Sequence, residues 1–555
     1  MAKVADISSP AWADVRSFGV RRNRIALTIS CAMLFNITSM PMKAYLSEYV
    51  PWSAPPLLNT SYANYSAFNT DFLAQNQRLY NAYTLVPGTS YYEDAINDVQ
   101  VLRKAIALPA PIPRATCLQS FLLGLPGVIY YTDAQLDMVC DLASATNVSA
   151  SAWHHRGSCF YDLFCNIEIG RSCLWLEAGD AIKVRNASEG LFTLTYAFSA
   201  TRFDAYLWFK FVYRIGNTIF VLYRMWTQYY RHCYHLEHLL QTSGHRTDVS
   251  ANEWRYELVL GDPTAIILRD PWVATTFLID MWLSTANVGI AVLRASQNGD
   301  LYIMFVTFVY LSRTVWFAYC GLCVTAYCLK KWKKERSFAE VDPTLVAIAI
   351  AFYGPLISWL SGNVGFLVVF YQWMFTCLVP STNHSTQNEL VVGCTAYTLL
   401  IAVLPVLYGF LAPRVHCRVF FWCFRRRQHA YSSHRYNNLK NQILLALLRP
   451  FRTNNIHMIA RGGTVYAAYN ASARLKNCPT FSLRSADCFV LCYRHGELRE
   501  KIRLSFLSSL DTRETAIFEA TTSTPYHFNE LVETTKEGVS SFALHKPAQP
   551  SVWCL

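Results

Sequence analysis

The chain has 555 residues, 53% of them hydrophobic, 15% aromatic and only 15% charged, with a formal net charge of +12. That balance is too apolar and too poor in charge for an ordinary soluble protein. The positive excess could suggest a nucleic-acid binder, but it crowds the ends of long apolar runs, so nucleic acid is not an expected partner.

Residues 1–24 form an N-terminal segment closing on Arg21, Arg22 and Arg24. Six apolar runs follow: Ile25–Met42, Phe203–Gln228, Pro271–Leu293, Tyr302–Leu329, Thr344–Val379 and Leu390–Ala412. A bilayer core is about 30 Å thick, so a crossing helix needs about 20 mostly apolar residues, and each run is read as a span. The predicted fold class is mainly α: a six-helix transmembrane bundle with an extracytoplasmic α+β domain and a cytosolic tail. Basic residues set the orientation. Lys330, Lys331, Lys333, Lys334 and Arg336 follow the fourth run, and Arg414, Arg418, Arg425, Arg426 and Arg427 follow the sixth. The connections 295–301 and 380–389 carry no Lys or Arg. This positive-inside pattern puts both termini in the cytosol. The first run lacks a small-x-small cleavage site and is read as an uncleaved anchor, residues 25–42, rather than a signal peptide.

Residues 43–202 are then an ectodomain. Sequons at Asn59, Asn64, Asn147 and Asn186 lie in it, and one at Asn383 lies between the fifth and sixth runs; all five fall on the outer side as glycosylation candidates. Sequons at Asn36 and Asn470 fall in a span and in the tail, where no glycan is expected. The ectodomain holds Cys117, Cys140, Cys159, Cys165 and Cys173, an odd set that Cys377 could complete, and an oxidising lumen favours disulfides. Their pairing stays open. Strands are expected over 127–131 and 181–184, helices over 66–83 and 94–106. His154 and His155 beside Cys159 match no standard metal spacing.

Residues 203–412 hold the other five runs. The second carries Lys210, Arg214 and Arg224; Lys210 and Arg224 can snorkel to opposite interfaces, whereas Arg214 cannot. It runs on through His232, His235 and His238, whose spacing of three drifts around a helix and suits solvated side chains better than a metal. The third and fourth runs each bear a charge, Asp280 and Arg313, at similar depths in an antiparallel hairpin. Those two, with Arg214 and Asn217, form a predicted intramembrane polar site, either a fixed ion pair or part of a permeation path. The fifth run is too long for one straight crossing. A break is predicted at Gly354, Pro355, Gly362, Asn363 and Gly365, followed by a second apolar helix over 366–379. Asp-Pro-Thr at 262–264 and 342–344 reads as helix-entry chemistry.

The tail, 413–555, opens on the arginine cluster and a short amphipathic stretch at 439–448, a pattern suited to anionic inner-leaflet lipids. A strand and turn are expected at 487–497, and loose structure over the last 35 or so residues. No phosphate-binding loop, zinc-protease, serine-hydrolase or kinase signature occurs, so no enzyme class is assigned, and no cofactor, metal or catalytic residue is expected.

Three segments, Leu260-Gly-Asp-Pro-Thr-Ala-Ile-Ile-Leu, Tyr310-Leu-Ser-Arg-Thr-Val-Trp-Phe-Ala-Tyr and Val341-Asp-Pro-Thr-Leu-Val-Ala-Ile, resemble a family of uncharacterised multi-pass membrane proteins of oomycete type. The resemblance covers roughly 200–550 and implies membrane location but no activity. The expected function is a receptor-like or organising surface protein of the plasma membrane or another secretory-pathway membrane, with the lipid bilayer as partner and a homo-oligomer left open. The alternative is a six-span ion channel or transporter of polycystin-like layout, whose filter chemistry the sequence lacks.

Overall fold

The structure, a computed structural model, describes residues 18–54, 62–108, 111–146, 150–180, 182, 191–201, 203–295, 301–414, 459–511, 513, 520–521, 524–536 and 539–555. Arg418, Arg425–Arg427 and the 439–448 stretch lie outside these residues, as do Asn59, Asn147 and Asn186.

Strand β1 (Gly19–Arg22) leads into α1 (Arg24–Thr38), which Asn23 caps by accepting a hydrogen bond from the Ala26 amide at 3.0 Å. Fifteen residues make a helix only about 22 Å long, and Pro41 and a 3-10 turn at Met42–Leu46 follow it. A disulfide-bonded domain comes next. It comprises α2 (Tyr65–Leu79), β2 (Tyr91–Asp94), β3 (Val99–Ala107), α3 (Cys117–Ser120), α4 (Asp133–Ser144), α5 (Ala150–Trp153), β4 (Gly157–Phe164), β5 (Ile167–Ala178) and β6 (Leu191–Ala200). The helix expected over 94–106 is a hairpin instead. Asp94 accepts from the amides of Ile96 and Asn97 in the turn, and β3 pairs with β6 along its whole length. The strand expected at 127–131 is a 3-10 turn, because Gly127 is left-handed and sits where a Cβ would lie 2.7 Å from the Tyr196 ring. Disulfides Cys117–Cys140 and Cys159–Cys173 tie α3 to α4 and β4 to β5; the two remaining candidates, Cys165 and Cys377, are free and exposed.

The helical layer follows. Helix α6 (Asp204–Met225) passes through a π-helical turn, Trp226–Tyr230, into α7 (Arg231–Thr242). After β7 (Trp254–Val259) come α8 (Thr264–Leu268), α9 (Pro271–Trp282) and α10 (Thr285–Ala295), with α9 and α10 bent by 72°. Helix α11 (Leu301–Leu311) joins α12 (Val315–Lys331) through a 3-10 turn at Ser312–Thr314. Asp342 caps α13 (Pro343–Asn363) at the Thr344 amide, as the Asp-Pro-Thr pattern predicts. Then come α14 (Gly365–Thr376), β8 (Gln387–Glu389) and α15 (Val391–Leu411). Strand β8 adds in parallel to β4, completing the order β2-β3-β6-β5-β4-β8.

Three helical segments are long and apolar enough to cross a membrane, 301–331, 343–363 and 391–411, with a fourth if the bent α9–α10 pair counts as one. This corrects the six-helix bundle: among the described residues α1 is too short, and α6 carries Lys210, Arg214 and Arg224. The remainder is not a mainly helical appendage either. The tail contributes β9 (Ile459–Gly462), α16 (Thr464–Ala471), β10 (Cys488–Arg494), β11 (Glu497–Phe506), β12 (Ala520–Thr521), β13 (Glu530–Lys536), β14 (Val539–His545) and β15 (Trp553–Cys554). One sheet runs β1-β7-β10-β11-β15, with β9 also on β11, and β12-β14-β13 form another. The last residues are therefore ordered rather than loose: Trp553 and Leu555 are buried in the core that α7 packs onto. The 487–497 strand and turn is the β10–β11 hairpin, turning at His495 and Gly496, both at positive φ.

The helices lie between the two large sheets. Helix α13 starts where Val341 pairs with Phe481 of the tail and ends where the Gly362 carbonyl accepts from the Gly124 amide at 2.8 Å. Helix α15 starts at β8 and brings Gly409 so close to Phe338, near the tail, that a Cβ would sit 2.0 Å from the ring.

Candidate functional site

On α6, Lys210 and Arg214 are four residues apart and share one face. Both turn inward and are buried. Lys210 Nζ lies 2.7 Å from Glu48 Oε2. Arg214 donates through Nη2 to Glu48 at 2.9 and 3.0 Å and to Ser284 Oγ at 2.8 Å, and through Nε to Asp280 Oδ1 at 2.8 Å. Arg313, held in the 3-10 turn between α11 and α12, donates to Asp280 Oδ2 and lies 3.5 Å from Glu48 Oε1. The Tyr310 hydroxyl donates to Glu48 Oε1 at 2.7 Å. The Ser284 hydroxyl donates to the Asp280 carbonyl at 3.0 Å, at the bend between α9 and α10. Two arginines and two carboxylates thus alternate around a ring, with Lys210 attached at Glu48.

Rings back the cations. The Arg214 guanidinium lies 4.7 Å from the Tyr45 ring centroid, that of Arg313 5.1 Å from Tyr310, and Lys210 Nζ 5.6 Å from Tyr206. Five charged groups in a dry interior are tolerable only because each pairs with at least one of opposite sign. The cluster joins five parts of the chain: the segment after α1, α6, α9, the α9–α10 bend and the α11–α12 turn.

Asp280, Arg313 and Arg214 therefore meet. Asn217 stands one turn along α6, outside the ring, and accepts from Thr276 Oγ1 at 2.9 Å. Sequence reasoning missed Glu48 and gave Lys210 the wrong surroundings: it does not snorkel but is 4% exposed and ion-paired. A signal existed. Two arginines against one aspartate leave charge uncompensated, which calls for a second carboxylate close to a span end. Arg224 is half-buried and pairs with Asp270 at the start of α9.

The expected helix break is narrower than predicted. Gly354 and Pro355 lie inside the continuous α13, both buried, and the chain leaves helical geometry only at Val364 (φ −116°, ψ 116°). Gly362 and Asn363 close α13, and Gly365 opens α14. Of the glycosylation candidates described, Asn64 caps α2 by accepting from the Ala67 amide, and Asn383 ends a 3-10 turn ahead of β8. His235 and His238 are exposed, His232 is half-buried, and among the described residues no group of His, Cys, Asp and Glu is arranged to hold a metal.

In the disulfide-bonded domain, Asp162 on β4 is buried and accepts from Ser172 Oγ at 2.6 Å through Oδ2. Burial pushes its carboxyl up to about 7, against the pull of hydrogen bonds from Ser172 and Asn388. It stands opposite Asn388 of β8, the strand between α14 and α15.

No family model, no curated protein and no solved structure matches the chain.

Proposed function

We propose that the protein is a multi-pass membrane protein of receptor-like or organising type. Its disulfide-bonded domain faces the outside, and the plasma membrane or another secretory-pathway membrane is its location. The observation that carries this reading is β8. It is a strand of the disulfide-bonded sheet, yet it is also the link between α14 and α15. A displacement of that sheet, such as a bound ligand would cause, is passed directly to the helices, and the charge ring ties α6, α9 and the α11–α12 turn to the same movement. At their other end the helices meet a sheet that draws on the N-terminal segment, the α7–α8 connection and the tail, a surface suited to a cytosolic partner. Orientation is tested by Asn383→Gln in microsomes: a glycan should be lost, and modification of Asn470 instead would reverse the threading.

One observation favours a second reading as an ion channel or transporter. The break at Val364 sets a short apolar helix, α14, after α13, the arrangement of a re-entrant segment. Purified full-length protein in liposomes separates the two. The receptor-like reading expects ion flux equal to that of empty liposomes. Flux that Asp280→Asn abolishes would replace it with the channel.

A further inference from the structure

The C-terminal ends of α12 and α15 and the start of α13, three helices of the membrane-crossing segments, come together at one level. Residues 332–342 join α12 to α13, and in that connection the Ala339 amide donates to the Gly409 carbonyl of α15 at 2.8 Å. The outward faces of α12 and α15 are apolar up to this level and then turn basic. On α12, Val324 and Tyr327 are 58% and 69% exposed, and exposed Lys331 follows on the same face. On α15, Val403, Leu407 and Leu411 are exposed. Arg414, also exposed, continues that row for one more turn, its amide donating to the Leu411 carbonyl at 2.9 Å. In the connection Trp332 is 63% exposed, and Lys333, Lys334 and Arg336 are exposed beside it in sequence. Lys330 differs: it turns to the tail and donates to the Arg474 carbonyl at 2.6 Å and to Asp511 at 2.9 Å. The acids of the connection are already engaged, Glu335 with Lys330 and Glu340 with Lys476. Among the described residues, Lys331, Lys333, Lys334, Arg336 and Arg414 have no ion pair.

We propose that this end of the helices is a binding surface for anionic phospholipid, with the headgroup held by the cations of 331–336 and Arg414 and the acyl chains lying along the outward faces of α12 and α15. The apolar rows run directly into the cations, so one molecule must supply both hydrocarbon and acid. A nucleic acid or an acidic peptide would use the charges and leave the apolar rows uncovered. A neutral lipid would cover the rows and leave the cations without partners. Tyr327 and Trp332 stand where the rows give way to charge, the level that amphipathic rings take between hydrocarbon and headgroups. Each Lys or Arg beside an anionic membrane surface favours the bound state by about fivefold, so a cluster of them selects acidic headgroups from a mixed bilayer.

The inference rests on the membrane reading above and not on which side of the membrane this end faces. The experiment uses the full-length protein in phosphatidylcholine vesicles. Phosphatidylserine with a photoactivatable acyl chain is the probe, phosphatidylcholine with the same chain is the comparison, and the cross-linked peptides are mapped. Phosphatidylserine should label the 324–336 and 400–414 segments in excess over phosphatidylcholine and should saturate as its fraction rises. Salt at about 0.5 M should reduce the excess, because exposed charges are screened. The paired change Lys333→Gln and Lys334→Gln should raise the half-saturating fraction about twentyfold, roughly fivefold for each charge. The paired change Lys333→Arg and Lys334→Arg should leave it unaltered. Equal labelling by the two probes, labelling only elsewhere, an excess that salt does not reduce, or a half-saturating fraction unchanged by the glutamines overturns the site while leaving the membrane reading intact. Displacement by inorganic phosphate as effective as by unlabelled phosphatidylserine assigns the cations to free anions and also overturns it. Failure to enter vesicles overturns both.

Discussion

Asp280, like Glu48, is a carboxylate that both arginines of the ring share, and its removal and that of a cation are not equivalent. Lys210, Arg214 and Arg313 against Glu48 and Asp280 leave one excess positive charge. Asp280→Asn raises that excess to two, whereas Arg313→Gln removes it. Breaking a buried pair from one side costs about 3–5 kcal/mol, so both variants should lose expression and thermal stability in detergent, Asp280→Asn the more. The double variant returns to one excess charge and should recover part of the loss. A double variant as impaired as the two singles combined would show that the pair does not act as a unit. Asp162 gives a pH dependence. Its folded value of about 7 lies above the roughly 3.9 of an unfolded aspartate, so the folded state holds the extra proton between those limits. Stability therefore falls as pH rises from about 4 to 7 and levels off above, the reverse of a salt-bridged carboxylate. Asp162→Asn should flatten that slope and raise the unfolding temperature at pH 8 relative to the wild type, read by thermal scans at pH 5 and 8; an unchanged slope would exclude Asp162 as its source.

At the level of elements, helix contacts depend on glycines whose role no run of hydropathy reveals. Gly321 of α12 lies so close to α15 that a Cβ would sit 2.8 Å from the Ala402 carbonyl oxygen. Gly321→Val should force the two helices apart at a cost of about 1–3 kcal/mol, seen as a lower unfolding temperature, with α12 and α15 more open to cysteine labelling. The elements misread from sequence fail for identifiable reasons. The 94–106 segment has mixed periodicity, and its pairing partner β6 is about 90 residues away, so only the sheet decides it. Pro355 suggested a break, yet Gly354 beside it packs among Leu311, Thr314 and Tyr397, and that packing holds α13 continuous to Asn363. The glycine-rich end of the same run was readable as a break because no side chains there favour continuing the helix.

Across the whole molecule, the tail's last strand closes on the α7 core: the Trp553 indole donates to the His232 carbonyl at 3.2 Å and its ring lies 4.3 Å from that of Phe506. Trp553→Ala should cost about 3–5 kcal/mol and make the tail sheet sensitive to protease well below the temperature at which the disulfide-bonded domain opens. Tail and domain opening together would show that the two ends unfold as one. Composition and the long apolar runs by themselves determined that this is a membrane protein with a cysteine-bearing α+β domain, because burial in lipid is written into local stretches of sequence. The approach of Asp280, Arg313 and Arg214 was also legible, since unpaired charges in apolar runs must find each other. Only tertiary structure decided that Glu48 and Lys210 join them, that the second run is a charge-bearing helix turned inward, and that the N-terminal segment, the α7–α8 connection and the tail form one sheet. Those are pairings between residues hundreds of positions apart, and the chain's local pattern contains no record of which distant partner satisfies a buried charge or a strand edge.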